Sequence, residues 1–197
     1  MNINKIGWSD DRENSFAKHR ENGDVPGRIG AVYQNCYTVI TEDGEYEGRI
    51  TGKMLFDKKF PAVGDWVVFS QRQSERAGTI TDILERKSKF SRKSAGTTSN
   101  EQIISANIDT VFIVMSLNED FNVSRMERYL TIVWESGAMP VMVLSKADLC
   151  DDVKEKIDAV SAIGIGVDIC VISSIKNEGM EKLRKYISNG KTVSMVG

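Results

Sequence analysis

The sequence predicts two folded parts: a small five-stranded β-barrel of the OB-fold class, then a partial α/β domain on a mostly parallel sheet. Three observations carry this. Five short strand-like runs broken by turn residues crowd between Arg28 and Leu84, a pattern that suits a small barrel. After Asn107 the pattern changes to continuous apolar runs, Thr110–Ser116 and Pro140–Leu144, as in parallel strands covered on both faces. Segments with helical spacing separate those runs, which gives the alternation of an open α/β domain.

In chain order, residues 1–26 read as a polar N-terminal extension with Trp8 and Phe16 as isolated apolar anchors and a short helix over Asp11–Arg20. Residues 27–93 hold the barrel, with strands at Arg28–Gln34, Cys36–Thr41, Gly48–Lys53, Asp65–Ser70 and Gly78–Leu84. An SH3-like barrel fits the same pattern. Residues 94–106, beginning Ser94-Ala95-Gly96-Thr97-Thr98-Ser99, read as an exposed linker. From 107 to 197 the order is β-α-β-α-β-α-β. Ser124-Arg125-Met126-Glu127 has the form of a capping box, opening a helix whose Met126, Tyr129, Leu130, Val133 and Trp134 form a core face up to Gly137. Further helices fit Asp152–Ile163 and Gly179–Ser188, and further strands fit Val167–Ser173 and Thr192–Val196.

Composition excludes several classes. With 41% apolar and 27% charged residues the chain is ordinary for a soluble protein. No apolar run approaches the roughly 20 residues of a membrane helix, and the N-terminus lacks the pattern of a secretory signal. Cys36, Cys150 and Cys170 are odd in number and widely spaced, as reduced thiols of a cytoplasmic protein are. His19, the one histidine, lies in a polar stretch and reads as solvated. The net charge of −2 hides an asymmetry: residues 1–93 carry 16 Lys/Arg against 14 Asp/Glu, the remainder 10 against 14. Arg86, Lys87, Lys89, Arg92 and Lys93 cluster in the first part. They read either as a solvated linker or as a contact for an RNA backbone.

Ligands of open α/β sheets bind beyond the C-terminal ends of the strands. Two short motifs fall there: Ser145-Lys146-Ala147-Asp148 and Ser173-Ser174. An ionised Asp148 suits the N1–H and N2–H₂ donors of guanine, which adenine lacks. The stem of Lys146 can cover the base while its ammonium stays in water, and the backbone N–H of Ser174 or its neighbour suits the guanine O6. The bland alternative is a surface Lys–Asp pair following a strand. Lys191–Gly197 reads as a buried strand ending on a glycine, the way a strand enters a phosphate-binding loop. Such a strand would leave an open apolar edge, so residues after about Ser188 are expected to be disordered or paired with another chain.

Ser145–Asp148 and Ser173–Ser174 resemble the two guanine-recognition elements of GTPases, and here they precede the phosphate-loop strand instead of following it. With Pro26-Gly27-Arg28, Gly64-Asp65-Trp66-Val67, Arg86-Lys87-Ser88 with Arg92, Ala106-Asn107-Ile108-Asp109 and Arg128-Tyr129-Leu130, the chain resembles the circularly permuted, ribosome-dependent GTPases of the RsgA (YjeQ) family. The resemblance implies an OB-fold, a permuted Ras-like GTPase domain and a C-terminal zinc-binding domain. It also implies GTP hydrolysis with Mg²⁺, stimulated by the small ribosomal subunit late in its maturation, by a monomeric cytoplasmic protein. Carried over by residue, it puts guanine recognition on Ser145, Lys146, Asp148, Ser173 and Ser174, barrel packing on Trp66, and rRNA contact on the basic side of the barrel. Ser145 stands where the family most often has Asn, and Ser174 where Ala is common.

The phosphate loop, the magnesium-binding Thr, the D-x-x-G element and the Cys/His zinc ligands are absent from these residues, so no catalytic and no metal-binding residue is assigned. Two rival readings are an OB-fold RNA-binding module with no catalytic role and a Rossmann-type oxidoreductase. The second is disfavoured because no glycine-rich turn follows a strand; Gly164-Ile165-Gly166 follows a helix. Phosphoryl transfer depends on positioning and charge stabilisation by the phosphate loop. The 197 residues on their own are therefore expected to release no phosphate from GTP; release above a buffer blank from clean protein would refute this.

Overall fold

The structure is a computed structural model that describes residues 2–20, 23–34, 36–93 and 101–197. It divides into two compact units, Met1–Asn107 and Ile108–Gly197.

In the first unit β1 (Val25–Val32), β2 (Tyr37–Thr41), β3 (Gly44–Ile50), β4 (Trp66–Arg72) and β5 (Ala77–Ile83) close a barrel in the order β1-β2-β3-β5-β4. β3 and β5 run parallel while the other pairs are antiparallel. This is the OB-type barrel. The hairpin between β2 and β3 is tighter than the sequence suggests, with Thr41 opposite Gly44. The predicted strand Gly48–Lys53 stops at Ile50, because the Thr51 hydroxyl accepts from the Met54 N–H and opens a short helix, α1 (Gly52–Phe56). Ile29, Tyr37, Val39, Tyr46, Met54, Val67, Phe69 and Ile80 fill the barrel. A Cβ on Gly27 or Gly48 would collide with the Val39 side chain, so glycine at these positions lets one β-branched residue occupy the narrow interior.

The N-terminal residues are not a detached extension. A helix over Asp10–Arg20 lays Phe16 against the outer face of β4, where Ile3, Trp66, Val68 and Leu84 form a second core joined by Ile6 and Trp8. Trp8 meets Trp66 edge-on at 4.8 Å and Phe16 at 5.8 Å. The guanidinium groups of Arg12 and Arg28 lie 5.8 and 5.7 Å from the Trp66 ring. Alternation along β4 explains why two cores exist: Val67 and Phe69 point into the barrel, Trp66 and Val68 out to this helix.

The linker reading also needs correction. Residues 94–100 lie outside the described residues, but 101–106 form a strand, β7 (Glu101–Ala106), paired antiparallel with β6 (Lys89–Lys93). β7 docks on the barrel, since Ala106 N–H donates to the Val63 carbonyl at 2.9 Å. Gly64, at φ +89, leaves no room for a Cβ beside the Ala106 carbonyl. Asn107, at φ 56, takes the Lys87 N–H at 3.1 Å and donates to the Gly64 carbonyl at 3.0 Å. Next to this junction Asp65, fully buried, receives Arg86 through two bonds of 2.7 and 2.6 Å and the Ala62 N–H at 2.8 Å.

In the second unit β8 (Thr110–Ser116), β9 (Met139–Ser145), β10 (Asp168–Val171) and β11 (Val193–Val196) form a parallel sheet in the order β10-β9-β8-β11. The helix over Val123–Ser136 buries Met126, Leu130 and Val133. Its cap is Asn122, whose side chain accepts from Arg125 N–H at 2.9 Å, one turn-entry earlier than the Ser124 box. Trp134 is not core: it turns past the buried stripe and is 50% exposed. The helix over Val153–Ile163 is as expected, whereas the last one spans only Glu181–Arg184. β11 docks on β8 within the chain, from Val193 opposite Thr110 to Val196 opposite Ile113. Asp109 pins it by accepting the Thr192 N–H at 2.8 Å while its own N–H bonds the Thr192 carbonyl at 2.9 Å.

The Asp65–Arg86 pair sets a stability test. Arg86→Gln is expected to cost about 3 kcal/mol, because it strands a buried carboxylate, while Lys87→Gln costs less than about 0.5 kcal/mol. Urea unfolding of both variants measures this, and equal losses would refute the structural role of Arg86.

Candidate functional site

β9 and β10 are adjacent and parallel, with Val171 opposite Leu144, so the residues after them emerge side by side. The pairing continues past the strands: Ile172 N–H donates to the Leu144 carbonyl at 2.8 Å and Ala147 N–H to the Ile172 carbonyl at 3.1 Å. Between these bonds Lys146 adopts a left-handed conformation, φ 57 and ψ 40, which swings the chain into a short turn over Ala147–Leu149. Ser145 ties this turn to β8. Its carbonyl accepts from Leu117 N–H at 2.8 Å and its hydroxyl donates to the Met115 carbonyl at 3.4 Å.

The second motif is a closed loop. Ser173 and Glu178 exchange two backbone bonds of 3.0 Å. Gly179 follows at φ +73, where a Cβ would run into the Val171 carbonyl. Ser173 is fully buried. Its hydroxyl donates to Asp148 at 2.5 Å and accepts from Lys176 N–H at 3.1 Å. Ser174 stands exposed beside it, and among the described residues no acceptor takes its N–H.

The structure thus brings Ser145, Lys146, Asp148, Ser173 and Ser174 to one edge of the sheet. Lys146 is exposed, Asp148 half-buried. The Ser173 hydroxyl, and after it the charge of Lys176, hold the Asp148 carboxyl below the usual carboxylate range. The site therefore presents an oriented carboxylate, an available N–H and an exposed cationic stem at the C-terminal ends of β9 and β10. The motif residues named from sequence do not include Lys176 or Gly179, whose parts here follow from the closed loop.

Other perturbed groups are structural. Asp168, at the opposite end of β10, accepts from Tyr186 and from Lys185 at 2.9 Å, which pins the last helical turn. Those bonds lower its pKa, and hydrogen bonding with Tyr186 and then with Asp168 raises that of Lys185. Glu13 is held down to about 2 by Arg20 and Trp8.

The described side chains of the basic run differ in setting. Arg86 is committed to Asp65 with its side chain 22% exposed. Lys87 is exposed, with Asp11 at 3.5 Å, and Lys89 is exposed on β6. The side chains of Arg92 and Lys93 lie outside the described residues. Arg86 thus holds a buried carboxylate, a structural role that its place in a basic run does not announce.

Comparison with known proteins bears on this arrangement. The model of the family described as RsgA GTPase matches residues 83–197. A small ribosomal subunit biogenesis GTPase RsgA 2 from Lactiplantibacillus plantarum is 45% identical over 182 residues, 90% of this chain and 51% of the relative. A small ribosomal subunit biogenesis GTPase RsgA from Methanosarcina acetivorans is 34% identical over 196 residues, 100% of this chain and 53% of that protein. The chain spans about half the length of the curated relatives it matches. Among solved structures, YjeQ from Thermotoga maritima superposes with a TM-score of 0.72 at 23% identity, over 88% of this chain and 60% of that one. YloQ, a circularly permuted GTPase, gives 0.68 with the same coverage. These two speak to fold. The family match covers more than half of the chain and the relatives run along nearly all of it: the chain belongs to the RsgA GTPase family.

Proposed function

We propose that this chain is the barrel and base-recognition part of a GTPase that acts in maturation of the small ribosomal subunit. One observation carries the reading: Asp148 and Ser173, from loops after adjacent parallel strands, are joined by a hydrogen bond that orients the carboxylate at the strand ends, where Ser174 also lies. Asp148 would accept from guanine N1–H and N2–H₂, and the Ser174 N–H would donate to O6. The Lys146 stem would lie over the base, and Ser145 would keep the turn tied to β8. The names of the relatives, small ribosomal subunit biogenesis GTPases, support the subunit and its rRNA as partners.

GTP and GDP are the ligands of this reading. Magnesium would neutralise the nucleotide phosphates. Among the described residues no three His, Cys, Asp or Glu side chains gather as a metal site. Mg²⁺ with the nucleotide, and the zinc that the resemblance implies, belong to the reading of the whole protein. The reading makes the whole protein cytoplasmic and monomeric away from the ribosome; no helix among the described residues is long and apolar enough to cross a membrane.

Nucleotide titration of the complete protein tests the proposal. Asp148→Asn should weaken GTP by about tenfold to a hundredfold, since unpaired guanine donors cost about 1–3 kcal/mol, and should shift preference to xanthosine triphosphate. Unchanged GTP affinity would remove Asp148 from the base site. Ser173→Ala deletes the bond that lowers the Asp148 pKa, so its carboxyl should titrate at higher pH and GTP binding should fail at a higher pH on acidification. Carboxyl chemical shifts followed by NMR measure the first effect; an unmoved Asp148 titration would refute the orienting role of Ser173.

A further inference from the structure

Charge on the barrel is divided between two places. The β2–β3 hairpin carries Glu42, Asp43, Glu45 and Glu47, all exposed, with Arg49 paired to Glu47 at 3.1 Å. The strand 2–3 face is where OB-folds commonly take oligonucleotides, and here its hairpin repels a polyanion. The segment after β3 has the opposite character. Lys53, Lys58 and Lys59 are exposed with Asp57 the one acid among them. Among the described residues none of the three is held in an ion pair. Between and beside them Phe56 is 88% exposed, Leu55 59% and Phe60 49%.

This exposure is imposed by a rigid frame. The Thr51 cap starts α1, and Met54, 3% exposed, anchors it in the barrel core. The helix end is closed by Lys59 N–H to the Met54 carbonyl at 2.9 Å and Lys58 N–H to the Leu55 carbonyl at 3.2 Å, with Lys58 left-handed at φ 54. The Phe60 carbonyl accepts from Arg86 at 3.4 Å, and the Ala62 N–H is fixed by Asp65. Phe56 and Phe60 are thus presented to solvent by a backbone tied down at both ends.

We propose that Lys53–Phe60 is a contact for unpaired RNA, in which bases stack on Phe56 and Phe60 while Lys53, Lys58 and Lys59 hold the flanking phosphates. Exposed phenyl rings offer π-faces to any base, and interleaved lysines supply the counter-charge that a purely apolar protein groove would not need. Stacking requires base faces that a duplex hides, so the partner is a single strand, loop or bulge. The inference rests on the reading that this protein works on ribosomal RNA and moves the contact from Arg86–Lys93 to the segment after β3.

The test is fluorescence anisotropy of the 197-residue chain with a labelled oligouridylate of about 12 nucleotides, within the span of one OB-fold, and with the same strand in a duplex. Phe56→Ala should weaken single-strand binding by about tenfold, the loss of one stacked base, while Phe56→Tyr retains it and duplex binding changes by less than about twofold. Replacing Lys53, Lys58 and Lys59 by Gln should flatten the slope of log K against log salt by about 2. Thermal melting should match wild type in each case, because these side chains are exposed. Single-strand binding unchanged in Phe56→Ala, or equal losses on strand and duplex, would overturn the proposal. So would intact oligonucleotide binding with weakened binding to purified small ribosomal subunits, which would give the face to a protein partner. GTP affinity of the complete protein carrying Phe56→Ala reads the nucleotide site separately.

Discussion

The proposed base site depends on strand direction. β8, β9 and β10 run parallel, so each must return through a crossover and all of their C-terminal ends fall on one edge. Lys146–Asp148 and Ser173–Glu178 are neighbours for that reason, although they are far apart in sequence. The ladder does more than bring them close. It runs on beyond the strands through Ile172 and Ala147, so the relative height of the two loops is set by backbone bonds before any side chain acts. The Ser173–Asp148 bond then fixes an orientation, not a position.

Burial decides what charge means in this molecule. Arg86 sits in the most basic run of the chain, but its partner Asp65 is fully buried and already holds the Ala62 N–H. Removing a guanidinium from there leaves an ion in an apolar setting, so the side chain is not available to a polyanion. Asp168, Lys185 and Tyr186 repeat the lesson at the far end of the sheet, where shifted pKa values report a clasp between strand and helix. At Asp148 the shift has a different setting: the group lies at the strand ends, near the Ser174 N–H, which has no acceptor among the described residues.

How much was legible follows from which forces are local. Period and turn chemistry located the barrel strands and the parallel strands, and the chemistry of guanine picked out Ser145, Lys146, Asp148, Ser173 and Ser174. What escaped was set by tertiary contact. Ile3, Trp8 and Phe16 look isolated in a polar stretch and become a core only because β4 offers a second apolar face. Glu101–Ala106 is too polar to announce a strand and forms one by pairing with β6 and docking beside Val63. Trp134 kept helical spacing with the core but fell on the wrong side of the stripe. Phe56 was passed over because exposure, not composition, is what distinguishes it.

The edge strand shows the same competition. An open apolar edge argues against a docked β11, and Met195 is indeed 68% exposed. Docking wins because the cost of ordering is met at the entrance of the strand. Asp109 takes the Thr192 N–H with its carboxylate, gives its own N–H to the Thr192 carbonyl, and has Lys191 at 3.3 Å. From that anchor the register Val193–Thr110 to Val196–Ile113 follows. At the other end a Cβ on Gly197 would strike the Val114 carbonyl, so glycine lets the backbone lie hard against β8.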